Sequence, residues 1–273
     1  MGTGARPPSL PRYPPPLLVA VTTSLAAGPA EAQGAEEAAR RHALPFAPRR
    51  GRRLAEVAAE AGAEVLLVLS AGRVGCWAEG AERRWDPGMG LLRAKRLRAG
   101  ERSTRDSFLE TALLRPGERV LDCTLGLAAD ALVAAEAVGP EGLVVGAEAS
   151  PALALLAEQG LLRVADPAAA RVQVHAGDAL ALLASLPDRS FDLVAFDPMF
   201  RHARQEPPGF DLVRRLGDAR PLPPEALRQA RRVARRAVLV KDGTPGWDLA
   251  RLGLTPLPSA RGAHRLYARI DVG

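Results

Sequence analysis

Hydrophobic and polar positions follow two successive rhythms along the chain. In the first part, short apolar runs are separated by helical stretches rich in alanine and glutamate. Leu17–Thr23 and Glu64–Ser70 read as strands, Arg73–Ala78 as the hairpin partner of the second across Ala71-Gly72, and Glu31–His42 and Leu54–Ala61 as helices. Pro45 and Pro48 separate those two helices, and this small α/β unit ends near Pro87. Gly88–Arg98 reads as a basic helical stretch and Ser103–Leu114 as a further helix closed by Pro116-Gly117. From Glu118 the rhythm becomes regular: apolar strand, glycine-containing turn, amphipathic helix. The strands are Arg119–Asp122, Leu143–Glu148, Arg171–His175, Phe191–Asp197, Ala237–Lys241, Leu254–Leu257 and His264–Ile270. Between them lie helices Leu127–Val138, Pro151–Val164, Ala179–Leu186 and Pro224–Arg235. This alternation predicts an α/β fold with a mainly parallel seven-stranded sheet covered on both faces. The last two strands leave no room for a helix, so they are expected to close the sheet as an antiparallel hairpin.

Composition narrows the picture. Of 273 residues, 47% are hydrophobic, enough for a buried core and too many for a globally disordered chain. Residues 1–16 are proline-rich and read as a disordered leader. Thr22-Thr23-Ser24 interrupts the apolar run that follows, which favours a buried strand over a secretory signal. Cys76 and Cys123 have neither CxxC spacing nor histidine partners. They fit a reducing compartment, the cytoplasm, and imply no metal site. No apolar run is long enough to span a bilayer. The net charge of +6 favours an anionic partner. Of the 37 basic residues only Lys95 and Lys241 are lysines, so arginine excess reflects composition, and each lysine draws attention.

Ligands of open parallel sheets bind beyond the carboxyl ends of the strands. Four successive strand ends here carry an acid. The first gives Asp122-Cys123-Thr124-Leu125-Gly126-Leu127-Ala128-Ala129-Asp130, where Gly126 lets backbone approach a ligand. Acids at 122 and 130 would repel a pyrophosphate and suit a ligand with a cationic amino group and a sulfonium, such as S-adenosylmethionine. Glu148 can accept both hydroxyls of a ribose, and Gly177-Asp178 can reach the adenine amino group. Each acid alone reads equally well as a helix cap.

The fourth strand runs into Asp197-Pro198-Met199-Phe200. An exocyclic amine is a poor nucleophile because its lone pair is delocalised into the base. An acceptor such as Asp197 can hold its protons and align the nitrogen, Pro198 fixes the turn, and Phe200 can stack on the base.

Asp122–Asp130 with Glu148, the Asp197–Phe200 tetrad, Val240-Lys241 and Gly262–Tyr267 together resemble the family of ribosomal RNA small subunit methyltransferase J. Val21-Thr22-Thr23-Ser24 and Arg93–Glu101 are similar to segments of its less characterised bacterial members, so the resemblance spans roughly residues 17–271. It implies a class I (Rossmann-like), S-adenosylmethionine-dependent methyltransferase acting on the guanine N2 amine of small-subunit ribosomal RNA. It also implies that Ala129 and Asp130, Glu148 and Ala149, Gly177 and Asp178, and Asp197 bind the cofactor. The organisation expected is a leader (1–16), a small α/β N-terminal domain with a basic connecting helix (17–102), and a methyltransferase domain (103–273). Two departures stand out. Ala128 replaces a glycine common in this turn, which is tolerable at negative φ, and Arg201 replaces a proline after the tetrad.

Other residues keep two readings. Lys241 either orients Asp197, contacts the substrate or snorkels from a strand end. Lys95, with Arg93, Arg96, Arg98, Arg102 and Arg105, forms either a solvated helix face or a phosphate-binding surface. Arg228, Arg231, Arg232, Arg235 and Arg236 recur at helical spacing and could form one RNA-facing stripe. His264 and Arg265 open the last strand near the expected pocket; His175 reads as a strand histidine. Two rival functions remain: methylation of a small molecule or protein, and a non-catalytic RNA-binding protein on this fold. A nicotinamide dehydrogenase fits poorly, since the first turn lacks three glycines.

Overall fold

The apolar run near the start of the chain does form a buried strand. A computed structural model describes residues 17–101, 106–198, 214–258 and 264–273; the expected leader, Ser103, Met199, Phe200, Arg201 and Gly262 lie outside the described residues. Strand β1 (Val19–Thr23) leads through α1 (Pro29–Arg41) and α2 (Leu54–Ala61) to β2 (Val65–Leu69), β3 (Val74–Ala78) and β4 (Ala81–Arg84). These strands form one sheet in that order, with β1 and β2 parallel and the others antiparallel. Its faces differ: Ala20, Leu66 and Val68 pack on α2, whereas Val21, Leu67 and Leu69 pack on α1. β4 escapes the sequence pattern because it is a polar edge strand, Ala-Glu-Arg-Arg, with no buried face. Its backbone lies so close to β3 that a side chain at Gly75 would meet the Arg83 carbonyl.

The chain continues through α3 (Gly90–Arg98), α4 (Ser107–Ala112), β5 (Arg119–Asp122), α5 (Ala129–Val138), β6 (Leu143–Glu148), α6 (Pro151–Leu161), β7 (Val172–Ala176), α7 (Ala179–Ser185) and β8 (Phe191–Phe196). After it come α8 (Pro224–Val233), β9 (Ala234–Gly243), α9 (Trp247–Arg251) and β10 (Arg265–Asp271). The second sheet has the order β10-β9-β8-β5-β6-β7, parallel except for β10. The chain winds outward from β5 in one direction, then returns to β8 on the other side, so the switch in strand order lies between β5 and β8.

Three expectations change, and one further element was not expected. Among the described residues the sheet has six strands, because Leu254–Leu257 pairs only through the Leu257 amide, 2.7 Å from the Tyr267 carbonyl. Pro256 and Pro258 flank that amide and have no N–H to extend a ladder. The antiparallel partner of β10 is β9 instead. The expected arginine stripe is also broken: α8 stops at Val233, and Arg235 and Arg236 belong to β9. Arg236 grips Glu118 through two bonds of 2.9 Å, and Arg232 bonds the carbonyls of Leu183 and Leu186, so these arginines tie elements together. Finally, α9 has no local signal, because the Asp242 carboxylate accepts the Asp248 and Leu249 amides at its start.

Helix α6 joins the two sheets. Ala157 and Leu161 belong to the core above the six-stranded sheet, and Leu153, Leu155 and Leu156 to the core beside β2 and β3. Trp85 lies so closely on Gly160 that a methyl there would collide with its ring. Helix α3 packs on α5, where Gly90 leaves no room for a side chain against the Ala129 backbone. No described helix is long and apolar enough to cross a membrane.

Candidate functional site

A cavity of about 1270 Å³ opens at the carboxyl ends of β5, β6 and β8. Asp122, Thr124, Gly126, Ala129, Asp130, Glu148, Ala149, Asp178, Asp197, Pro198 and Lys241 all line it. Gly177 does not; its amide donates to the Glu148 carbonyl at 2.9 Å behind the lining. Phe200 lies outside the described residues.

The turn after β5 is built around Glu148. Its Oε2 accepts the Gly126 amide at 2.8 Å and its Oε1 the Ser150 amide at 2.9 Å. Gly126 has φ +55°, and a side chain there would meet only the Thr124 carbonyl at 3.9 Å, so the turn leaves open space. Ala128 has φ +69°, not the negative value a non-glycine residue prefers, and its amide donates to the Leu125 carbonyl at 2.8 Å. The turn keeps a glycine-like shape without the second glycine. Burial pushes the Glu148 carboxyl above its ordinary value.

Asp122 is buried at the end of β5, and burial pushes it up to about 7, with its neighbours Asp130 and Asp197 adding to the rise. Its Oδ1 accepts the Thr124 amide at 3.0 Å. Asp178 caps α7 by accepting the Leu180 amide at 2.8 Å, and its second oxygen bonds Arg220 at 2.7 Å. The capping reading and the cavity-lining reading therefore both hold for Asp178.

Asp130 and Asp197 are joined by Lys241. The Lys241 ammonium lies 3.2 Å from Asp130 Oδ2 and in closer contact with Asp197 Oδ2. On the other side of Asp130, Arg93 Nη1 bonds Oδ1 at 2.6 Å. The same guanidinium grips Asp106 at 2.8 and 3.0 Å, and Asp106 also caps α4. Five side chains thus alternate in sign: Asp106, Arg93, Asp130, Lys241, Asp197. Burial alone would raise Asp130, yet Lys241 and Arg93 outweigh it and hold the carboxylate below its usual range. Burial would lower Lys241, and Asp197 and Asp130 reverse this, so the ammonium stays charged. Burial pushes Asp197 up against the pull of Lys241. Asp130 therefore already has two cationic partners, a point its place in the sequence does not show.

Sequence reasoning missed several lining residues. Arg93 stood in the basic run but without its partners, since its contacts to Asp106 and Asp130 cross from α3 to α4 and α5. Arg83, Arg84 and Trp85 reach the cavity from the polar edge of the other sheet. Among the described residues, Arg83, Arg84 and Arg265 line the cavity without an ion pair to a carboxylate. Lys95 is exposed and away from the lining, and Arg98 bonds Glu136 and Asp166 at 2.7 and 2.8 Å.

The donor set fits S-adenosylmethionine. Acids dominate around the open turn at Gly126, which suits an ammonium and a sulfonium, and Glu148 keeps unused lone pairs for a ribose.

Comparisons with known proteins bear on the family and the fold. A family model of SAM-dependent methyltransferases matches residues 94–244. The Bacillus subtilis (strain 168) protein YpiP is 37% identical over 170 residues, covering 60% of this chain and 65% of that protein. A 37.1 kDa protein in transposon TN4556 of Streptomyces fradiae is 31% identical over 147 residues, covering 54% of this chain and 36% of that protein. The chain thus spans under two thirds of either relative's length. The SAM-dependent methyltransferase NGO1261 from Neisseria gonorrhoeae shares the fold, with TM-score 0.61 and 22% identity over 92% of this chain and 95% of that one.

Proposed function

The chain belongs to the SAM-dependent methyltransferase family, and on that premise we propose that it methylates the exocyclic N2 amine of guanine in small-subunit ribosomal RNA. The observation that supports this substrate most is the end of β8. Asp197 and Pro198 face the cavity, Asp197 is held by Lys241, and Arg83, Arg84 and Arg265 line the same space. A carboxylate acceptor for amine protons and cations for phosphates are what a nucleobase on an RNA strand requires. The resemblance to the methyltransferase J family points the same way.

Bound S-adenosylmethionine supplies an electrophilic methyl group on a sulfonium that leaves as a thioether. Asp122, Gly126 and Glu148 form the cofactor side of the cavity, with Asp178 beyond them. Asp197 would accept a hydrogen bond from the amine and orient its nitrogen within the cavity; Lys241 holds Asp197 in place. Phe200 is the proposed stacking partner for the base. Catalysis then rests on positioning and fixed charges, with no covalent enzyme intermediate. The amine loses its proton to solvent after transfer.

The test is methyl-labelled cofactor offered with small-subunit ribosomal RNA, naked or in subunits, and separately with small metabolites. Label on guanine N2, lost in Asp197→Ala, is expected. Label appearing only in small molecules would replace this substrate with the alternative one, and RNA binding without any transfer would leave a binding protein. Calorimetry with S-adenosylmethionine checks the cofactor side: Glu148→Ala and Asp178→Ala are expected to weaken binding, and unchanged affinity in both would refute these assignments.

A further inference from the structure

Arg93 lies outside the six-stranded sheet and its helices, on α3, yet it makes the first link of the charged row that ends at Asp197. Its guanidinium spends one nitrogen on Asp130 and two on Asp106. Lys241 has two carboxylates in reach, Asp130 at 3.2 Å and Asp197 more closely. One ammonium cannot fully satisfy both. Asp130 already has a cation on its other oxygen, so it needs less of the ammonium's charge, which is left to Asp197. Side-chain exposure is 22% at Arg93, 16% at Asp130 and 10% at Lys241 and rises to 34% at Asp197, which opens onto the cavity, so the charges act on one another most strongly in the enclosed part of the row.

We propose that Arg93 is a positioning residue for methyl transfer: by neutralising Asp130 it leaves Lys241 to Asp197. The proposal rests on the reading of Asp197 as the group that holds the acceptor amine. Removing the Arg93 charge turns Asp130 into a competitor for Lys241. The ammonium shifts toward Asp130, Asp197 loses its counter-charge, and its carboxyl becomes harder to ionise.

Other groups around Asp197 do not offer the same control. Asp130 on α5 is a like charge that opposes its ionisation, Arg265 on β10 favours it from a distance, and Asp122 on β5, which keeps its proton to about pH 7, adds repulsion only once it ionises. Tyr267 on β10 interacts electrostatically with Lys241, so it belongs to the same enclosure without bridging the two carboxylates. Of the cations in this row, Arg93 alone has its bonds directed away from Asp197. Asp106 fixes Arg93 from the far side. An asparagine there would keep the cap of α4 and free the guanidinium for Asp130.

The experiment is a carbon-13 NMR titration of aspartate carboxyls in the full chain, with the Asp197 resonance assigned from Asp197→Asn. In Arg93→Gln the Asp197 midpoint is expected to rise by about half a pH unit or more. Arg93→Lys should bring the midpoint most of the way back to the wild-type value, and Asp106→Asn should leave it unchanged or lower. If Arg93→Gln does not fold, Arg93→Met, which keeps the length of the side chain and removes its charge, takes its place: the Asp197 midpoint must rise in it as well, and a midpoint that stays put overturns the proposal. A purely structural role would lower thermal stability in Arg93→Gln and leave the Asp197 midpoint in place, and that result overturns the proposal. The titration needs no methyl acceptor, so it stands apart from the substrate question. With ribosomal RNA as acceptor, the acid limb of kcat should move upward with the NMR midpoint while KM for the cofactor changes little. A limb that stays put while the midpoint moves would refute the role of Asp197 and leave the charged row intact.

Discussion

Thr124 Oγ1 accepts the backbone amide of Asp197 at 2.6 Å, so the end of β5 holds the end of β8 directly across the switch in strand order. The acceptor matters because that amide sits beside the proposed reaction centre. In Thr124→Val the amide loses its partner, at a cost of about 1–3 kcal/mol. Thr124→Ser should remain close to the wild type. Chemical denaturation separates the two, and kcat is expected to fall in the valine variant because Asp197 loses its anchor.

Ala128 holds a left-handed conformation with its methyl fully buried. Ala128→Gly trades strain relief against a lost methyl and a more flexible unfolded chain, so its stability should lie within about 1 kcal/mol of the wild type. Ala128→Val forces a branched side chain into the same φ and should cost about 2 kcal/mol or more. Equal stability of the two variants in thermal unfolding would contradict the turn geometry.

Gly160 accommodates the Trp85 ring, with no space for a methyl. Gly160→Ala should displace Trp85, at a cost of about 1–3 kcal/mol. A shift in tryptophan fluorescence would accompany the loss. The same change should disturb the cavity, since Trp85 is part of its wall.

Asp122 ties stability to pH. Its carboxyl, held up to about 7 by burial against an ordinary 3.8, keeps its proton to higher pH in the native state than in the unfolded chain. The stability this group contributes is fully present below 3.8 and is lost as pH rises through about 7. Wild-type stability should therefore fall across this window more than that of Asp122→Asn, as denaturation at several pH values would show. A cationic ligand beside Asp122 favours the ionised form. Binding of S-adenosylmethionine near neutral pH should accordingly release protons, measured by calorimetry in buffers of different ionisation enthalpy.

Much of this architecture was legible because helices and strands with one buried stripe announce themselves by period. Leu54–Ala61 and Leu143–Glu148 appear in the structure with the limits their patterns predict. The acids at strand ends were legible for a different reason: the ends of parallel strands are where such sheets bind ligands. The pairing of Lys241 with Asp197 was one of the readings open to a strand-end lysine, and the buried ammonium takes it because it needs a carboxylate. What the pattern hid was non-local. β4 buries nothing, α9 begins on a carboxylate from the preceding strand, and Leu254–Leu257 looks like a strand until its prolines are counted against hydrogen bonds. Arg93 was hidden in the same way, since a basic run does not reveal that one of its members turns inward.

The scarcity of lysine gives the site a chemical address. With Lys95 exposed and Lys241 enclosed between two carboxylates, the chain carries only two side-chain amines in very different surroundings. A reagent selective for neutral amines should mark Lys95 readily and spare Lys241, whose ammonium resists losing its proton. Any substitution that opens the cage would then reveal itself as a second labelled lysine in a peptide map. A chain that has kept almost no lysine thereby contains its own reporter of whether the reaction centre is assembled.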